Sequence, residues 1–303
     1  MQLTNENYYL NNSLMSASQF KSFRSCEAKA LAEFKGEYKR KPETALLVGS
    51  YVDSWFEGTL DEFKEQHPEV FLKTGGLKAE FKKAEECIKR ASSDECFMQF
   101  MSGEKQKIVT GTIAGVEFKG KLDSYIPHEA IVDLKCMKNI EPIWNEKERR
   151  KVPFIEAWGY DIQLAIYQEL VCQETGEKLK CYIAVVTKED VPDIQIYEID
   201  QQRLDECLKL VEENAPHYKK IKNDELEPVR CEKCDYCKMT KKLTGAIPYR
   251  TIPTPNVPSQ SIAFKIPTIP TDDTNTIPNE NAILKVKKSK KKKHKRKIVI
   301  KVK

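Results

Sequence analysis

Apolar residues along this chain recur at two spacings, and the change from one to the other separates helical from extended stretches. Over Ser16 to Lys35, Thr44 to Glu57 and Lys78 to Phe100 they return every three or four positions among charged residues, which predicts three helices. The period then shortens. Residues 107–114, 116–125 and 130–136 are short apolar runs or alternations, and each predicts a strand. A helix follows from Phe154 to Gln173, strands over 179–187 and 193–199, and a last helix over 201–219. Strands set among helices in this order predict an α/β fold, a mixed sheet flanked by helices, without internal repeats.

The third strand carries the first chemistry. In Glu129-Ala-Ile-Val-Asp-Leu-Lys135 side chains alternate, so Asp133 and Lys135 share one face while Val132, Leu134 and Cys136 take the other. Just upstream, Val116-Glu-Phe-Lys-Gly-Lys-Leu-Asp-Ser-Tyr125 reads as a partner strand, and the few residues between Tyr125 and Ala130 suffice for a hairpin that brings Asp123 beside Asp133. Adjacent carboxylates repel unless a cation lies between them, and hard oxygen donors suit Mg²⁺ or Mn²⁺. An acid pair, a divalent ion and an ammonium are the equipment for phosphodiester hydrolysis.

Gly120-Lys-Leu-Asp123 followed by Ile-Val-Asp133-Leu-Lys135 resembles the signature of the PD-(D/E)xK nucleases. Tyr160-Asp-Ile-Gln163-Leu-Ala-Ile-Tyr167 resembles the Q-x-x-x-Y motif of their RecB-like branch, with the phage and prophage RecE-type (exonuclease VIII-like) enzymes nearest. The resemblance implies a restriction-endonuclease-like core over residues 1–245. It implies that Asp123 and Asp133 are metal ligands, Lys135 the catalytic lysine, and Gln163 and Tyr167 contacts to DNA or supports of the site. Gln163 and Tyr167, four apart, share a helix face as that role requires. Two positions depart from the pattern. Gly49-Ser-Tyr-Val-Asp53 has an aspartate where RecB-like enzymes often carry histidine, and Cys136 replaces a threonine after the lysine. Asp53 can still bind a hard cation and is kept as the third ligand; Glu57, one turn on, competes with it.

Ten cysteines occur in the chain. No signal-peptide pattern opens it and no run is apolar enough to span a membrane, so a reducing cytoplasm, bacterial or of a phage-infected host, is expected. There, clustered cysteines more often bind metal than pair as disulfides. Cys231, Cys234 and Cys237 form such a cluster, with a fourth ligand needed from elsewhere. Ser16-Ala-Ser18 and then Cys26 resemble the entry of RecB-like nucleases of the AddB type, in which one N-terminal and three C-terminal cysteines join the domain's ends around an iron-sulfur cluster. That resemblance implies a [4Fe-4S] cluster on Cys26, Cys231, Cys234 and Cys237, with Zn²⁺ the alternative for such a set. The short gap to Cys237 departs from the family spacing and leaves the centre open. Cysteines 87, 96, 136, 172, 181 and 207 read as small buried hydrophobes.

A chain of 303 residues accommodates one principal domain. Beyond it, residues 246–284 are rich in proline and threonine and read as a linker. Residues 285–303 hold twelve of the 51 basic residues and no acid, and read as a disordered basic tail. Without those twelve, 39 basic residues face 46 acidic ones, a net of −7 for residues 1–284, so the formal +5 comes from the tail. A tethered cation of this kind would add non-specific DNA affinity to an acidic body.

Two function classes follow. One is a metal-dependent DNA exonuclease acting on linear duplex ends, which the RecE-type resemblance pairs with a phage single-strand annealing protein in homologous recombination. The other is a catalytically inactive, accessory DNA-binding protein with a structural four-cysteine metal site. No membrane partner is expected, and homo-oligomerisation is left open.

Overall fold

The computed structural model describes residues 3–248, except 6, 41, 42, 147, 244 and 247. The expected linker and basic tail, residues 246–284 and 285–303, lie outside the described residues, apart from Ala246 and Pro248. Contacts divide the chain into a unit at Met1–Lys242 and another at Leu243–Lys303. The first is described here.

It opens with β1 (Met15–Ser16), α1 (Ala17–Ser25) and α2 (Glu27–Phe34). The Ser16 hydroxyl caps α1 by accepting from the Gln19 amide, and Ala17, Phe20 and Phe23 form its buried stripe. The single helix expected over Ser16–Lys35 is broken at Cys26, whose extended backbone (φ −164°, ψ 108°) turns the chain. Next come α3 (Thr44–Glu57), α4 (Leu60–Gln66), α5 (Ala79–Ser92) and α6 (Glu95–Phe100). The expected long helix from Lys78 is likewise two, because the Asp94 carboxylate accepts from the Phe97 amide and caps a new start.

Strands β2 (Lys107–Ile113), β3 (Val116–Leu122), β4 (Ser124–Ile126) and β5 (Ala130–Met137) follow. A short pair, β6 (Ile143–Asn145) and β7 (Arg150–Val152), leads to α7 (Phe154–Trp158) and α8 (Tyr160–Thr175). Gly159, left-handed at φ 63°, breaks the expected single helix into these two. The unit ends with β8 (Lys180–Thr187), β9 (Ile194–Ile199), α9 (Gln201–Lys222) and α10 (Asp235–Met239).

The strands form a mixed sheet β4-β5-β8-β9, in which β5 and β8 run parallel, a three-stranded sheet β1-β3-β2, and the β6-β7 pair. The sequence predicts one strand over 116–125, but the chain changes sheets at Asp123: β3 pairs with β2, whereas β4 pairs with β5. Alternation along β5 then serves two cores. Ile131 packs with α1, α8 and α9, while Val132 and Leu134 pack with α3 and α5 on the opposite face. Asp133 and Lys135 share the face of Ile131, and that places them under α8. Asp161 at the start of α8 is buried and receives Arg203 Nε and Nη2 at 2.8 and 2.6 Å, which ties α8 to α9 and fixes its rotation over the sheet. Among the described residues, no helix is long and apolar enough to cross a membrane.

Candidate active site

Asp133 lies at the centre, 2% exposed. Gln163 Nε2 donates to its Oδ1 at 2.8 Å and lies 3.2 Å from the Tyr167 hydroxyl, so both residues of the Q-x-x-x-Y face reach the site. Lys135 Nζ lies 2.5 Å from Asp133 Oδ2 and donates to the Leu134 carbonyl at 2.9 Å. That ion pair is the close contact at Oδ2, which has no other polar partner among the described residues. A buried carboxylate costs energy unless a cation accompanies it, and Lys135 is that cation. Asp123, at the switch between sheets, accepts the Leu134 amide at 2.8 Å through Oδ2. The expected approach of Asp123 to Asp133 therefore occurs, through β4 rather than a continuous strand.

The electrostatics are those of crowded acids. Burial and then the charge of Asp133 push the Asp123 carboxyl up to about 7. On α3, burial and then Asp123 hold Asp53 well above the usual carboxylate range, with Glu57 and Asp133 adding to the effect. Burial alone would lower the Lys135 ammonium, but Asp133, Asp123 and Asp53 outweigh it and raise the group. Tyr167 is held well above its usual value by burial and by Asp133. Its ring lies against Gly120, where an added Cβ would come within 2.8 Å of it, so only glycine lets the ring sit on β3.

Two clefts flank the carboxylates. One of about 220 Å³ runs past Tyr8, Lys119, Gln163 and Tyr167. Another of about 370 Å³ runs past Asp53, Glu57 and Lys121. Glu57, the competing ligand, instead accepts from Gln106 Nε2 at 2.5 Å. The residues present fit a hard divalent cation, because hard oxygen donors are crowded here: burial and Asp133 raise Asp123, and burial and Asp123 raise Asp53.

Lys21 of α1 has no signal in the sequence, since nothing separates it from the solvated lysines of an amphipathic helix. Its Nζ donates to Gln163 Oε1 at 2.9 Å and lies 5.3 Å from the centre of the Tyr160 ring, which Lys135 also approaches at 5.2 Å. Burial, and then the charge of Lys135, lower Lys21 to about 8.

The cysteines converge separately. Cys26, Cys231, Cys234 and Cys237 have all four sulfurs within 4.8 Å of one another, the only set of three or more potential ligand residues so tightly gathered among the described residues. Asp53, Asp123 and Asp133 are not drawn that close. Of the other six cysteines, 87, 181 and 207 are buried and 136 and 172 half-buried; Cys96 is exposed, because it lies on the outer face of the one-and-a-half-turn α6.

A helix-flanked mixed sheet, with Asp133 and Lys135 on one face of β5 and a glutamine–tyrosine helix above them, defines the PD-(D/E)xK class of fold. The chain belongs to the family described as the PDDEXK-like domain of unknown function DUF3799, which it matches over residues 16–240. It is similar to a crystal structure from Eubacterium rectale of a protein named as a candidate exonuclease, at 48% identity and a TM-score of 0.78, over 82% of this chain and 97% of that one. A second crystal structure, of SSO0001, is 17% identical over 66% of this chain and 86% of its own, with a TM-score of 0.25, too low to bear on the argument. No curated protein matches the chain.

Proposed function

We propose that this protein is a divalent-metal-dependent DNA exonuclease that hydrolyses phosphodiester bonds at duplex ends. The observation that carries the reading is the buried Asp133 carboxylate, held by Gln163 on one oxygen and paired with Lys135 on the other, with its charge acting on Asp123. Support comes from the family and from the candidate exonuclease of Eubacterium rectale. Asp123 and Asp133, with Asp53 as third ligand, would hold Mg²⁺ or Mn²⁺, which supplies Lewis-acid stabilisation of phosphoryl charge and acidifies water.

The chain's own residues do the rest. Lys135, kept protonated by three carboxylates, directs an N–H toward the attacking water or the charge that builds on the phosphoryl oxygens. Gln163 fixes the rotamer of Asp133, and Tyr167 seats Gln163. Lys21 positions Gln163 from the opposite side and brings a second cation to the phosphate path. The Q-x-x-x-Y arrangement supports a RecE-type role, in which resected ends are handed to a single-strand annealing protein.

Incubation of purified protein with linear and circular duplex, with Mg²⁺ or with chelator, tests this. Degradation of linear DNA alone, dependent on metal, is expected. Cleavage of circles would redirect the reading to an endonuclease, and DNA binding without degradation under any divalent ion would favour the accessory protein.

A further inference from the structure

The thiolate cluster lies apart from the carboxylates, and no step of the hydrolysis uses it. Its sulfurs are spaced 3.6 Å (Cys26–Cys237), 3.8 Å (Cys26–Cys234) and 3.9 Å (Cys231–Cys237). A metal–sulfur bond of roughly 2.3 Å, repeated at tetrahedral angles, sets neighbouring sulfurs about 3.8 Å apart. These three spacings are those of ligands on one ion, and the remaining pairs stay within 4.8 Å. In a four-iron cluster each thiolate binds a different iron, so two thiolates are separated by two such bonds and an iron–iron spacing, with the inorganic core between them. Sulfurs all within 4.8 Å of one another leave no room for that core.

We propose that Cys26, Cys231, Cys234 and Cys237 hold a single tetrahedral zinc ion, and that the [4Fe-4S] cluster implied by the AddB-type resemblance does not fit this chain. The short gap before Cys237 is the physical reason for the difference. Two successive three-residue steps let the Cys234 amide donate to Cys231 Sγ at 3.3 Å and the Cys237 amide donate to Cys234 Sγ at 3.5 Å. Those turns aim three sulfurs inward at one point, and the two N–H donors favour the thiolate form of Cys231 and Cys234 on a metal. Cys26 closes the fourth side from the break between α1 and α2. Four thiolates on a divalent ion carry a net charge of −2, and Arg230, anchored on the Cys237 carbonyl at 2.6 Å, sets a guanidinium beside it. With four protein ligands no position remains for water or substrate, so the centre is structural.

The test is elemental analysis, acid-labile sulfide and visible spectra of full-length protein purified without oxygen from cells supplied with both iron and zinc. One zinc per chain, no sulfide and colourless protein are expected, and exchange into Co²⁺ should give the intense visible bands of a tetrahedral thiolate site. Cys237→Ser should lower the zinc content and Cys96→Ser should not; should Cys237→Ser fail to fold, the wild-type metal content decides. Iron at the site, with or without sulfide, overturns the proposal. So does metal-free protein in which all four thiols react freely with a thiol reagent. None of these readouts involves DNA, so the result is independent of the nuclease reading.

Discussion

The carboxylate centre and the thiolate centre crowd acidic groups into one domain by opposite routes. Asp123 is eleven residues from Leu134, whose amide it accepts, and the strain among the acids is relieved internally by Lys135. Cys26 and Cys237 are 211 residues apart, and no ammonium or guanidinium hydrogen-bonds their sulfurs among the described residues. One centre rests on strands and is flanked by two clefts; the other is closed by its own ligands. An open site retains chemistry, whereas a closed one retains structure, and the two should respond differently to substitution.

The sharpest division comes from Asp133→Ala and Lys135→Ala. Each should reduce DNA hydrolysis by roughly 10³-fold or more while circular dichroism stays native, since the proposal gives Asp133 to the metal and Lys135 to the charge that builds on the phosphoryl group. Activity retained within tenfold in either variant would remove the catalytic role. Cys237→Ser should do the converse. Thermal stability should fall, on the order of 2–5 kcal/mol, through loss of a closure that links the domain's ends, while activity per folded molecule falls less than tenfold.

Titration separates the centres further. The Asp123 carboxyl is raised in the folded state, to about 7 against roughly 3.9 unfolded, so folding favours its protonated form. In chelator-treated protein the stability this group contributes is then fully present below the unfolded value and is lost as pH rises through about 7. Melting curves between pH 5 and 8 should show that decline, Asp123→Asn should flatten it, and Mg²⁺ should restore stability at pH 8. A melting temperature that rises over this range without metal would contradict the crowding.

The smallest effects test the supports. Lys21→Met should lower the rate by about 10- to 100-fold and shift its pH profile, because it removes the donor that orients Gln163 and the second cation beside Lys135. Gly120→Ala should displace the Tyr167 ring and give a similar or lesser loss.

Much of this was legible in the residues because it depends on period and proximity. The two-residue alternation of β5 alone sets Asp133 and Lys135 on one face, and the four-residue step of α8 sets Gln163 beside Tyr167. What the sequence hid are interruptions and long-range partners. The breaks at Cys26, Asp94 and Gly159 interrupt stretches whose helical period continues across them, so the period does not reveal them. The change of sheets at Asp123 depends on β5 competing with β2 for the strand, which local pattern does not encode. Lys21 becomes part of the site only because α1 crosses under α8.

That last helix touches both centres. Lys21 reaches Gln163 from the middle of α1, and its final turn hands the chain to Cys26, five residues on and about 7.5 Å farther along the axis. A rod so short transmits displacement at its end to its middle. Release of the sulfur anchor would therefore let the lysine drift, and cleavage would slow before the domain melts.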